Sequence, residues 1–324
     1  MISLMKKKLS DIGFSLFVGL MHLLSWLPFW ALYLLSDLTY TLLYYIVRYR
    51  RPLVDKNLRE SFPGMSAGEL AAVRRRFYLN FSDYIFETAK LLHVSDAQMR
   101  RRMTFTGVDL TDAALREGRP VVVYFSHCGN WEWVPSFTLW SGLQPGREAE
   151  FCQIYRPLRN RRMDALMLKL RSRFGSVSLA KNMAFLDLMR YRKRGIPTIT
   201  GFMSDQKPSH GDQGVVVDFL HHPTAMISGT ETVARRMDAL VVYWDMSKPS
   251  RGHYHIDTVV ITDAPKTLAE GEITRRYAAL LEQSIRRQPP IWLWSHNRWK
   301  NPVKAPVMAS DKSSNGDKTG EPVK

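Results

Sequence analysis

From Gly13 to Ser36 the chain carries no Asp, Glu, Lys or Arg, reading GFSLFVGLMHLLSWLPFWALYLLS. One helix of that length extends roughly 36 Å, against a hydrocarbon core of about 30 Å. A second apolar run, Leu38 to Val47, follows Asp37 and ends in Arg48-Tyr49-Arg50-Arg51, while Lys6, Lys7 and Lys8 stand upstream. Trp26, Trp30, Tyr33, Tyr40, Tyr44 and Tyr45 suit the headgroup level. The stretch is too long for a cleaved signal peptide and shows no small-residue cleavage site. Residues 1–51 are therefore expected to attach the chain to a membrane. With basic clusters at both ends, a single span puts one of them outside, whereas a hairpin bent near Pro28 keeps both in the cytosol. Both topologies stay open, as does a buried helix pair split at Pro28.

The remainder reads as α/β. Residues 52–102 are helical and amphipathic, with Leu70, Val73, Phe77, Phe81, Tyr84, Ile85 and Ala89 at helical spacing inside Glu69–Leu92. Asn57 to Gly64 reads as a helix end and a turn. Beyond Met103 short apolar runs alternate with helical stretches. Strands are expected at Val121–Phe125, Ile196–Phe202, Ala239–Trp244 and Tyr254–Ile261, and helices at Thr111–Glu117, Arg162–Phe174, Met183–Arg194, Ser228–Met237 and Ile273–Arg287. Such alternation argues for a mixed central β-sheet flanked by helices over 103–303. Residues 304–324, poor in apolar side chains, read as a disordered tail.

Forty-six Lys and Arg against 30 Asp and Glu give a net charge of +16, which calls for an anionic partner. The basic clusters (Arg74–Arg76, Arg100–Arg102, Arg192–Arg194, Arg286-Arg287) are scattered, as suits an anionic lipid face or an acidic protein, and no nucleic-acid-binding module is present. Cys128 and Cys152 are the only cysteines, so neither a disulfide framework nor a four-Cys zinc site is possible, and the simplest reading is a reduced, cytosol-facing protein. His221-His222 and His253-x-His255 lack the partners a metal requires, and no Gly-rich phosphate loop occurs, so neither metal nor cofactor is expected.

The chemistry gathers where Val121–Phe125 runs into Ser126-His127-Cys128-Gly129-Asn130-Trp131-Glu132. Strand ends of α/β folds collect reactive side chains, and Gly129 permits a tight turn or close approach. Five residues separate His127 from Glu132, a spacing that lets a turn entering a helix bring the carboxylate to one imidazole nitrogen. That pairing frees the other nitrogen to accept a proton. Spacing alone is weak, because nine His and 30 acidic residues give roughly 0.8 such pairs by chance. A capping histidine with a surface glutamate is the plainer alternative. Cys128 as nucleophile is disfavoured, since neighbours in an extended segment point apart.

The Ser-His-Cys-Gly-Asn-Trp-Glu segment closely resembles the His-x4-Asp/Glu motif of glycerolipid acyltransferases, in the form found in bacterial lipid A late (secondary) acyltransferases. The resemblance continues through Tyr155-Arg156-Pro157 and Ser204-Asp205-Gln206 to Trp292-Leu293-Trp294-Ser295-His296-Asn297-Arg298-Trp299-Lys300. It covers nearly the whole chain; Asn297 departs from the family's usual Arg. It implies an inner-membrane enzyme, its catalytic domain facing the cytosol, that moves a fatty acyl chain from acyl carrier protein to a hydroxyl of a lipid A precursor. His127 is then the general base and Glu132 its orienting acid. Arg156 supplies an oxyanion donor or a phosphate clamp, Asp205 positions Arg156 or a turn, Asn130 completes the motif, and Arg298 and Lys300 face anionic headgroups. Another glycolipid, aminolipid or pigment precursor as acceptor, a non-enzymatic basic binder of membrane or nucleic acid, and a hydrolase using the same pair are the competing readings. Phe219 to Ala225 resembles the family's Phe-x-Gly turn before its next helix only in degenerate form and carries no role.

Overall fold

A computed structural model describes residues 2–208, 214–300 and 303, so the expected tail at 304–324 lies outside the described residues. The charge-free run is not one helix. α1 (Ile2–Trp26) ends before Pro28 and α2 (Phe29–Thr41) begins after it, with a π-helical turn at Leu42–Ile46. Pro28 is extended (φ −65°, ψ 155°) and has no N–H to continue a helical ladder. The apolar part of α1, from Gly13 to Trp26, therefore covers only about 20 Å. Among the described residues no helix is long and apolar enough to cross a membrane, so of the readings left open the single span finds no helix to carry it.

α3 (Arg51–Ser61), α4 (Ala67–Lys90) and α5 (Asp96–Arg102) follow. α4 and α5 start at capping boxes, Ser66 with Glu69 and Ser95 with Gln98, which satisfy backbone N–H groups that a helix start leaves orphaned. The chain then forms β1 (Met103–Thr106), α6 (Val108–Arg116), β2 (Val121–Phe125), a 3₁₀ helix at Trp131–Leu139, β3 (Glu150–Tyr155), α7 (Arg161–Arg171), β4 (Val177–Ala180), α8 (Ala184–Lys193) and β5 (Thr198–Met203). Next come the hairpin of β6 (Val215–Phe219) and β7 (His222–Met226), then α9 (Gly229–Met237), β8 (Leu240–Ser250), β9 (His253–Thr262) and α10 (Glu272–Arg287). The sheet order is β1-β9-β8-β2-β5-β3-β4, parallel throughout except for the antiparallel β8–β9 pair. This is the mixed sheet flanked by helices that the alternation predicts.

β2 is buried along its whole length, as a parallel strand covered on both faces must be. Its side chains alternate. Tyr124 stacks on Tyr277 of α10 (4.4 Å between centroids), while Phe125 turns toward Trp244 on the other face (6.4 Å). The N-terminal helices share this core. Glu87 of α4 is 1% exposed and accepts hydrogen bonds from Asn130 (3.0 Å), Tyr254 (2.8 Å) and Tyr33 (3.1 Å). Burial pushes its carboxyl above the usual carboxylate range. Lys248 reaches Asn80 and Asp83, and Arg251 bridges Asp83 and Asp37, so α2, α4 and the β8–β9 turn are locked together.

Candidate active site

β2 and β5 are parallel neighbours, with Phe125 beside Met203, so both leave the sheet at the same edge. His127 follows β2 and Asp205 follows β5, at the carboxyl ends where α/β sheets place their ligands. Asp205 is 2% exposed. It accepts His127 Nδ1–H at 2.7 Å, the His127 backbone N–H at 3.0 Å and the Trp292 indole N–H at 3.0 Å. Burial alone would push this carboxyl up; the imidazole and the three hydrogen bonds outweigh it and hold the group at about 2. A carboxylate only accepts, so the hydrogen-bond network assigns the proton to Nδ1 and the lone pair to Nε2. The Gln206 amide nitrogen lies 3.2 Å from that Nε2 and donates to it. The imidazole packs edge-on against Trp131, centroids 5.1 Å apart.

The orienting acid is therefore Asp205, which corrects the expectation that Glu132 pairs with His127. Both Glu132 oxygens are taken by Arg171 at the end of α7, at 2.8 and 2.7 Å. The cause is local. Gly129 is left-handed (φ +55°) and the 3₁₀ helix starts only at Trp131, so helical periodicity does not connect positions 127 and 132. Glycine is required there twice over, since a Cβ would also stand 2.6 Å from Met246 Sδ and 2.9 Å from the Tyr254 ring. Burial works against the Arg171 charge, but Glu132 more than offsets it and raises the guanidinium above its ordinary value.

The other sequence candidates scatter. Asn130 is buried and donates to Glu87, tying the motif loop to α4. Arg156 is exposed on the loop after β3, while the Asp205 carboxylate accepts from His127 and Trp292. Arg298, expected to face headgroups, is 4% exposed and donates to the Ala225 carbonyl (2.6 Å) and Met226 sulfur (3.1 Å); burial lowers it to about 10. It braces the β6–β7 hairpin, where Leu220 and His221 turn through positive φ. Lys300 is exposed. Cys128 is buried, and burial pushes its thiol up, away from a reactive thiolate. Two residues that matter here escaped sequence reasoning. Arg171 is one of many arginines on a helix without a local signature, and Glu87 sits on an amphipathic face that reads as packing.

Behind Trp131, the ring against which His127 packs, lies a narrow cavity of about 40 Å³ between the sheet and the 3₁₀ helix. Phe125, Phe137, Phe151, Ile199 and Trp244 make it apolar; Trp131 belongs to its wall, and Glu132 with Arg171 adds one ion pair. Gly201 opens it, because a Cβ there would come within 3.0 Å of the Phe125 ring.

The chain is similar to a family described as bacterial lipid A biosynthesis acyltransferase, whose model matches residues 4–301. No curated protein matches it.

Proposed function

Because the chain belongs to the bacterial lipid A biosynthesis acyltransferase family, we propose that it transfers a fatty acyl chain from acyl carrier protein thioester to a hydroxyl of a lipid A precursor, with His127 as general base. The observation that carries this is an imidazole held at Nδ1 by Asp205, which leaves the Nε2 lone pair to face the site, with an apolar cavity behind the neighbouring Trp131. Nε2 takes the acceptor's hydroxyl proton, and Asp205 steadies the imidazolium that results. The thioester's chain lies in the cavity, where each buried methylene contributes about 0.8 kcal/mol. Glu132 keeps Arg171 charged and fixed in the cavity wall, and exposed Arg156 meets phosphate on the acceptor or on the carrier's arm.

The membrane reading rests on a stripe. Leu16, Leu20, Leu23 and Trp26 of α1 and Trp30, Leu34 and Leu38 of α2 recur every three or four residues and are all exposed, Trp26 at 72% and Leu38 at 68%. A helix pair with one open apolar face, followed by Arg48, Arg50 and Arg51, lies in the interface of an anionic membrane without crossing it. On this reading the enzyme works at the cytosolic face of the inner membrane.

The decisive experiment is mass spectrometry of lipid A from cells lacking the gene and complemented with wild type, His127→Ala or Asp205→Asn. Wild type should restore one acyl chain, and each variant should lower transfer about 10²–10⁴-fold. Near-normal acylation by His127→Ala would remove the base assignment. An unchanged lipid A with one altered minor lipid would replace the acceptor.

A further inference from the structure

We infer that Gln206 is a further catalytic residue: its side-chain amide covers the lone pair of His127 in the resting site and donates to the thioester oxyanion during transfer. This rests on the reading of His127 as base. Asp205 takes the Nδ1 proton, and among the described residues the group that reaches Nε2 is the Gln206 amide nitrogen, at 3.2 Å. An acceptor hydroxyl can give its proton to Nε2 only by displacing that amide.

The displaced amide stays in the site. Gln206 directly follows Asp205, whose carboxylate is fixed by three hydrogen bonds, so its backbone cannot move far. Only its side-chain torsions are free to swing the N–H groups off Nε2. The carbonyl carbon under attack must lie within about 3 Å of the hydroxyl oxygen, which itself sits at hydrogen-bond distance from Nε2. An amide leaving Nε2 therefore remains within reach of the carbonyl oxygen.

The step balances as follows. The hydroxyl proton moves to His127 Nε2 and its oxygen bonds to the thioester carbon. The C=O π pair moves onto oxygen, where the Gln206 N–H groups receive it. Collapse of this intermediate re-forms C=O, breaks the C–S bond, and the departing thiolate sulfur takes the proton back from Nε2. A side-chain amide also matches both states of the base, since it presents N–H to the neutral ring and, flipped, its carbonyl to the imidazolium.

The test is steady-state acyl transfer by the full-length enzyme in detergent, using acyl carrier protein thioester and a purified lipid A precursor. Gln206→Ala should lower kcat about 10²–10³-fold while KM for either substrate changes less than threefold. Gln206→Glu places a negative charge beside Nε2, so it should move the acidic limb of the kcat/KM profile to higher pH. Melting temperatures of both variants check the fold. Full kcat in Gln206→Ala, or a loss confined to KM, would overturn the inference; full activity in His127→Ala would overturn the base reading instead.

Discussion

Two single atoms decide the chemistry of this site: the Nδ1 proton that Asp205 holds and the Cβ that Gly201 lacks. The second makes a prediction. Gly201 lies in β5 with ordinary backbone angles, so a larger side chain is tolerated by the strand and resisted by the Phe125 ring facing it. Gly201→Leu should narrow the cavity and shift product toward shorter acyl chains, read as a shorter added chain by mass spectrometry. An unaltered chain length would place the acyl group elsewhere. At this scale the sequence was half legible. His127 stood out because it closes an apolar strand, but its partner lies 78 positions on and reaches it only because β5 pairs with β2. Glu132, close in sequence, was the tempting partner; the left-handed turn at Gly129 removes the geometry that temptation assumed.

Among elements, those with a strong period were readable. The apolar run of β2 and the amphipathic α4, α9 and α10 fall where the pattern puts them, within a few residues at each end. β1, β3, β4, β6 and β7 were not anticipated: they are four to six residues long, and β3, β6 and β7 carry Glu150, Gln153, Asp218 or Pro223 among their apolar positions. Such strands form because neighbours supply the ladder, a cause no local window contains. For α1 and α2 a break at Pro28 was among the geometries left open, and the structure takes it, leaving two helices too short or too polar to span. Leu34→Glu with Leu38→Glu should therefore release the enzyme from anionic vesicles in a flotation assay, while transfer to detergent-dispersed acceptor stays within about twofold. Retention on vesicles would show that other surfaces hold it.

The whole molecule answers to pH through groups that folding buries. Burial drives His296 down to about 4, against an ordinary value near 6.5, and pushes His222 down as well. The unfolded chain then takes up protons between about pH 6.5 and 4 that the folded chain refuses, so folding stability is complete above that window and falls through it. Asp205 loses its contribution lower still, between the ordinary carboxylate value and about 2. A melting temperature that declines below pH 6.5, with a shallower decline in His296→Asn, is the expected result. A flat profile between pH 6.5 and 4 would exclude burial of His296 as the cause.

The Trp292 indole on Asp205 has a bearing on biosynthesis. His127 and Asp205 leave the ribosome well before Trp292, with β8, β9 and α10 between them in the chain. The last of the three hydrogen bonds on Asp205 therefore forms only when almost all of the family-matching segment, residues 4–301, has emerged.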